Sequence, residues 1–163
     1  MFNVQLEGKE ALTARLDAMP ASVRAALEVK VQALAIKLQG HVVRDKLHGQ
    51  VLNQRTGNLA RSIQPDAPIT EGEGVYGRVF SSGDVKYAKI QEYGGTTPAH
   101  DILPNKADVL AFVIGDRKVF AKVVHHPGSK IPERSYLRSS LADMAEEITK
   151  GLKLAVVEGL NKR

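Results

Sequence analysis

Three groups of residues in this sequence carry side chains suited to chemistry, and their spacing decides what each can do. Gly72-Glu73-Gly74-Val75-Tyr76-Gly77 matches the G-x-G-x-x-G pattern of a nucleotide-binding turn. Such a turn must follow a strand and open a helix, so that backbone amides meet a pyrophosphate. Here the following residues read as a strand and Glu73 puts a negative charge in the loop, so a plain glycine turn is expected. His100-Asp101 and His125-His126 are metal-ligating types. Neighbouring histidines on an extended strand point to opposite sides, and the H-E-x-x-H spacing is absent. Polar loop residues are the expectation, and a metal-dependent hydrolase using His100, Asp101, His125 and His126 is the remoter rival. The absence of cysteine removes thiolate metal sites, a disulfide framework and a cysteine nucleophile. Neither a G-x-S-x-G elbow nor a P-loop occurs. The reading is therefore of a non-enzyme, with no catalytic residues, no cofactor and no metal.

Charge gives a second, weaker alternative. Lysine and arginine exceed aspartate and glutamate by 23 to 18, a formal net charge of +5. A nucleic-acid binder gathers such an excess into a stripe, but here it is scattered. Aromatic residues are only 5% of the chain, too few for a base-stacking platform. Phosphate contact by dispersed cations, as in a DNA-contacting channel protein, stays as the alternative. The first residues, Met1 to Glu7, have neither a basic run nor a long apolar stretch, so no secretory signal is expected. The longest aliphatic-aromatic run, Val109 to Ile114, is too short to span a bilayer, and no membrane partner is expected.

The elements that must position these residues follow from periodicity. A length of 163 residues suits a single domain over 1–163. Residues 2–6 alternate as a short strand, and 9–48 read as helices broken before Pro20. In the long helix from Ala21 to about His48, Val23, Leu27, Val31, Leu34, Leu38 and Val42 share one face. Val29, Ile36 and Val43 recur every seven residues on roughly the opposite side, beside the small residues Ala26, Ala33 and Gly40. A helix with one buried side has no need of that second stripe. Either the helix is sandwiched in its own fold, or the stripe meets a neighbouring subunit. Residues 56–63 read as a helical turn capped by Thr56 or Asn58, with Leu59 and Ile63 on one face. Residues 75–124 form the sheet region: Val75 to Phe80, then Val109 to Ile114 and Val119 to Val124 joined by a short turn. Both faces of Val109 to Ile114 are apolar, which predicts a central strand covered on both sides. A polar loop spans 93–105. The last helix, 132–160, carries Leu137, Leu141, Met144, Ile148, Leu152 and Ala155 as its stripe. The class is α+β: a central, mostly antiparallel sheet of about four strands packed on a long helix of the N-terminal half and a long C-terminal helix.

Taken together, three segments are similar to a family of lambdoid siphophage and prophage proteins. Arg55-Thr56-Gly57-Asn58-Leu59-Ala60-Arg61-Ser62-Ile63 resembles that family's R-T-G-x-L-x-x-S-I segment. Tyr87-Ala88-Lys89-Ile90-Gln91-Glu92-Tyr93-Gly94-Gly95 resembles its Y-A-x-x-x-E-x-G segment. Ile131-Pro132-Glu133-Arg134-Ser135-Tyr136-Leu137-Arg138-Ser139-Ser140-Leu141 resembles its P-x-R-P-F-L-R-x-A-L segment, with Ser135-Tyr136 where Pro-Phe is commoner. The segments come in the family's order, and the resemblance spans about residues 2 to 160. Gly94 to Asn105 looks like an insertion.

The resemblance implies a tail-completion, minor-tail or head–tail joining protein. It implies a homo-oligomeric ring, by the tail's symmetry a hexamer, in the virion at the tail or neck, after assembly in the host cytoplasm. The implied partners are the tail terminator, the tail tube and head-completion proteins, with passing DNA as a further contact. The interface residues read from the sequence are Val29, Ile36 and Val43 on the helix, Tyr93, Gly94 and Gly95, His125 and His126 in the loops, and Tyr136. Tyr93 and Tyr136 are the expected anchors, since interface energy concentrates in a few large side chains.

Overall fold

A computed structural model describes residues 21–71, 74–83, 85–105 and 107–161. The predicted strand 2–6 and the helix beginning at residue 9 lie outside the described residues up to Ala21. The class is α+β, with a long helix in the N-terminal half and a long C-terminal helix. The described residues fall into two compact units. One comprises those up to Ala88 and from Arg134 onward, and the other is Lys89–Glu133.

The first unit is organised by α1 (Ala21–His41), which continues as a wider π-type helix over Val42–Gln50. Gly49 breaks that continuation with φ 109°, and the amides of Val51 and Leu52 both close onto the Lys46 carbonyl at 3.1 Å. A short α2 (Asn58–Ser62) follows. Its N-cap is Gly57, in the left-handed region at φ 73°, and neither Thr56 nor Asn58 caps it. The Asn58 side chain instead accepts a bond from Arg61 at 2.6 Å. Four short strands come next: β1 (Ile63–Pro65), β2 (Ile69–Glu71), β3 (Gly74–Tyr76) and β4 (Val79–Ser81). They pair antiparallel as β1 with β4 and β2 with β3. The predicted strand Val75 to Phe80 is thus two strands. The break falls at Gly77, where an added Cβ would sit 2.8 Å from Val31 Cγ1 on α1. Only a glycine lets the backbone pass that close.

The unit closes with α4 (Leu137–Asp143) and α5 (Ala145–Asn161), which pack on α1. The predicted stripe from Leu137 to Ala155 is buried or half-buried throughout. The helix begins at Leu137 rather than at Pro132, because the chain is still extended in a strand at Ile131. It bends at Met144, whose ψ of 0° is outside helical geometry. The last helices run antiparallel to α1. Gly159 lies against Val23, Gly151 against Lys30 and Leu34, Glu147 pairs with Lys37, and Asp143 pairs with His41 and Lys46. Two apolar clusters result. Val23, Leu27 and Ala155 form one, and Val42, Leu47, Leu59, Ile63, Ala88 and Tyr136 form the other. Burial of each large aliphatic side chain stabilises the fold by roughly 1.5–3 kcal/mol.

The second unit holds most of α3 (Ala88–Tyr93) and six strands: β5 (Gly95–Thr96), β6 (His100–Ile102), β7 (Leu110–Ile114), β8 (Arg117–Ala121), β9 (Val124–His126) and β10 (Lys130–Ile131). They pair as nested antiparallel ladders, β5 with β10 outermost, then β6 with β9, then the hairpin β7–β8. The unit is a two-stranded arm whose tip is the turn Gly115-Asp116. The expected central sheet is therefore not one sheet: among the described residues all ladders are two-stranded. The β7 strand is neither central nor covered. Val113 and Ile114 are each 63% exposed, and Phe120, which pairs with Ala111, is 64% exposed. No helix among the described residues is long and apolar enough to cross a membrane.

Candidate interaction surface

The second stripe of α1 faces outward at its middle. Val29 is 73% and Ile36 51% exposed, while Val43 is half-buried and packs on the core cluster around Val42. Beside Ile36 and Val43 the segment Ala60 to Gln64 runs along the helix, and a groove of about 530 Å³ lies between them. Its floor is aliphatic: Ile36, Val43 and Ala60, over the buried Ile63. Gln39 ties its two walls together, donating from Nε2 to the Ile63 carbonyl at 3.0 Å. Its rim is cationic, from Lys37, Arg44 and Arg61.

Two glycines shape that rim. The Arg44 guanidinium folds back over Gly40, where an added Cβ would meet it at 3.1 Å. At Gly57 an added Cβ would lie 3.0 Å from the Arg61 guanidinium and 2.5 Å from the Gln54 amide nitrogen. Lys37 is neutralised by Glu147. Arg61 donates to the Thr56 carbonyl and to Asn58, both uncharged. Among the described residues no carboxylate pairs with Arg44 or Arg61. At the far end of α1, Asp143 accepts from Lys46 Nζ at 2.6 Å and faces His41 Nε2 at 3.1 Å. The Lys46 bond first, then His41, holds its carboxyl below the ordinary value of 3.8.

The structure treats the other sequence-predicted interface residues unevenly. Tyr93 is 41% exposed at the end of α3. Gly94 and Gly95 take positive φ of 70° and 151°, and an added Cβ at Gly94 would sit 2.8 Å from the Glu133 amide nitrogen. That glycine is required by the backbone. Tyr136 is fully buried and is corrected from anchor to core: its hydroxyl donates to the Ala88 carbonyl at 3.3 Å.

The four rival metal ligands are brought together, since β6 and β9 pair His100 with His126 and Asp101 with His125. Alternation along the strands puts the two pairs on opposite faces. His100 and His126 stack with ring centroids 5.0 Å apart, and exposed His125 contacts Asp101. His126 Nδ1 accepts the Gly128 amide at 3.0 Å and His100 Nδ1 donates to the Pro98 carbonyl at 3.2 Å. Among the described residues no group of three or more ligating side chains could hold a metal. The G-x-G-x-x-G pattern places Gly74 at the start of β3, where a strand follows it.

Sequence reasoning missed Arg44 and Arg61 as rim groups. The signal was present, for Arg44 follows Val43 on the helix and Arg61 lies inside the R-T-G segment. It also missed the apolar exposure of the arm, and of Leu154, Val157 and Leu160 on α5. No family model, curated protein or solved structure matches the chain.

Proposed function

We propose that this protein is a non-enzymatic component of a long-tailed bacterial virus, completing the tail and contributing to the junction with the head. It acts as a ring of identical subunits that contacts neighbouring virion proteins. One observation carries this reading: apolar surface is left outside on both units, as the Val29 and Ile36 stripe of α1 and as Val113, Ile114 and Phe120 on a two-stranded arm. An isolated two-stranded ladder is marginal in water, and exposed apolar patches of this kind mark association surfaces. The three resembling segments supply the class of particle.

In such a ring each subunit offers two different surfaces, a heterologous and closed assembly. Substituting Val29→Glu tests it. Val29 is 73% exposed and is not part of the groove lining, so the chain should fold and stay monomeric while tails fail to be completed. Normal particle yield from this variant, or from a virus lacking the gene, would refute the reading.

The scattered excess of cations keeps the DNA-contacting channel as the second reading. It requires binding of duplex DNA that falls steeply as salt rises; no binding at low salt removes it.

A further inference from the structure

We infer that the groove between α1 and the Ala60–Gln64 segment receives an acidic segment of a partner protein, with an aliphatic side chain on its floor and carboxylates on Arg44 and Arg61. This names the chemistry of a partner and rests on the assembly role only for that partner being a virion protein.

The argument is one of complementarity. The floor, Ile36, Val43 and Ala60 over the buried Ile63, has the character of an anchor site, and about 530 Å³ accommodates one or two aliphatic side chains with flanking backbone. Exposed guanidiniums stand at its rim without a carboxylate among the described residues, while Lys37 on the same rim already has Glu147. Guanidinium matches carboxylate in a planar two-bond geometry, so two guanidiniums without a carboxylate among the described residues, beside an apolar floor, select an aliphatic residue flanked by acids.

A second copy of this chain fits less well. It carries the same net +5, and the exposed aliphatics at its arm tip lie opposite Arg117 and Lys118 across the ladder. Nucleic acid fits less well too. The lining has no aromatic side chain on which a base could stack, and an aliphatic floor offers nothing to a phosphate.

The test begins with a random dodecapeptide library panned on the full-length protein. The enriched pool should carry leucine or isoleucine flanked by aspartate and glutamate. A synthetic, fluorescein-labelled peptide from that pool should bind saturably by anisotropy, and more weakly as salt rises. Arg44→Glu, at a side chain without a carboxylate partner among the described residues, should weaken it at least about tenfold, and adding Arg61→Glu should abolish it. Unchanged thermal melting of Arg44→Glu shows that the fold is intact.

An enriched pool without acidic excess, no enrichment, or equal binding by Arg44→Glu overturns the inference. So does displacement of the peptide by an equimolar duplex DNA, or a dimer that Arg44→Glu dissolves. If Val29→Glu blocks tail completion but panning enriches no acidic peptides, this inference falls and the assembly role stands.

Discussion

Two glycines on α5, one helix and eight residues apart, should respond to alanine with opposite signs. Alanine is favoured over glycine inside a helix by about 1 kcal/mol, wherever the methyl group finds room. At Gly151 it does. The added Cβ would lie 3.5 Å from Leu34 Cδ1 and 3.6 Å from Lys30 Cδ, ordinary contact with side chains of α1. At Gly159 it does not. The Cβ would lie 2.5 Å from Val23 Cα, 3.0 Å from its amide nitrogen and 3.1 Å from the Ser22 carbonyl. These are backbone atoms, which cannot rotate away, so the helices must separate and loosen the packing of Val23, Leu27 and Ala155. Overpacking of this kind costs roughly 2–3 kcal/mol. Set against the propensity gain of about 1 kcal/mol, Gly159→Ala should destabilise by roughly 1–2 kcal/mol. For a chain of this size the melting temperature should rise by about 2–4 °C in Gly151→Ala and fall by about 2–8 °C in Gly159→Ala. Calorimetry and urea titration of each variant and of the pair measure this. The positions are separated by about 12 Å along the helix, so the two effects should add. A Gly159→Ala protein that melts higher than the parent would show that the end of α5 does not lie against the start of α1.

Other substitutions test separate parts of the structure. Tyr136→Ala should cost about 3–5 kcal/mol, seen as loss of cooperative thermal unfolding, because it empties the core of the first unit; a stable variant defective only in assembly would return Tyr136 to the surface. Asp143→Asn addresses the paired carboxylate. A folded-state pKa held below 3.8 stabilises the protein above that pH, and the contribution is lost as pH falls through the lowered value. The variant should therefore melt lower at neutral pH and show a shallower fall below about pH 4, and identical acid limbs for parent and variant would dismiss the pairing. Gly128→Ala combines φ 89° with a Cβ 2.2 Å from the Thr97 carbonyl. It should open the arm between β5 and β10 and speed proteolysis there, whereas an unchanged digestion pattern would contradict the paired loops.

Legibility in the sequence followed the range of the interaction. The face of α1 from Val23 to Val42 and the stripe from Leu137 to Ala155 were readable because helical periodicity is local. That Val29 and Ile36 share the opposite side was readable for the same reason, but not that they face outward, because periodicity does not tell a sandwiched helix from an open one. The arm was not, because its outer ladders pair Gly95 with Ile131 and His100 with His126 across a long loop, in strands of two or three residues with no period to detect. Two apolar faces on Val109 to Ile114 pointed to a covered strand, yet they belong to a hairpin whose faces are open. At α2 the usual preference for a capping side chain favoured Thr56 or Asn58, while the backbone used the one residue that tolerates a left-handed turn, Gly57.

The resembling segments are accounted for by architecture. Gly57 turns, Leu59 and Ile63 fill the core, Ser62 bonds the Leu59 carbonyl at 2.7 Å, Glu92 is buried, and Tyr136 anchors the start of α4. What they carry is the frame. The groove they help to wall became visible only when Ala60 and Arg61 were seen beside Ile36 and Val43.

The register of the arm tip sets Ile114 opposite Arg117 and Val113 opposite Lys118. Two such tips brought together stack like charges wherever they stack oil, so repulsion between otherwise sticky ends should keep a concentrated low-salt solution clear. Added electrolyte shortens the reach of that repulsion and leaves the stickiness untouched. Stocks of the purified protein should therefore cloud on salting and clear again on dialysis.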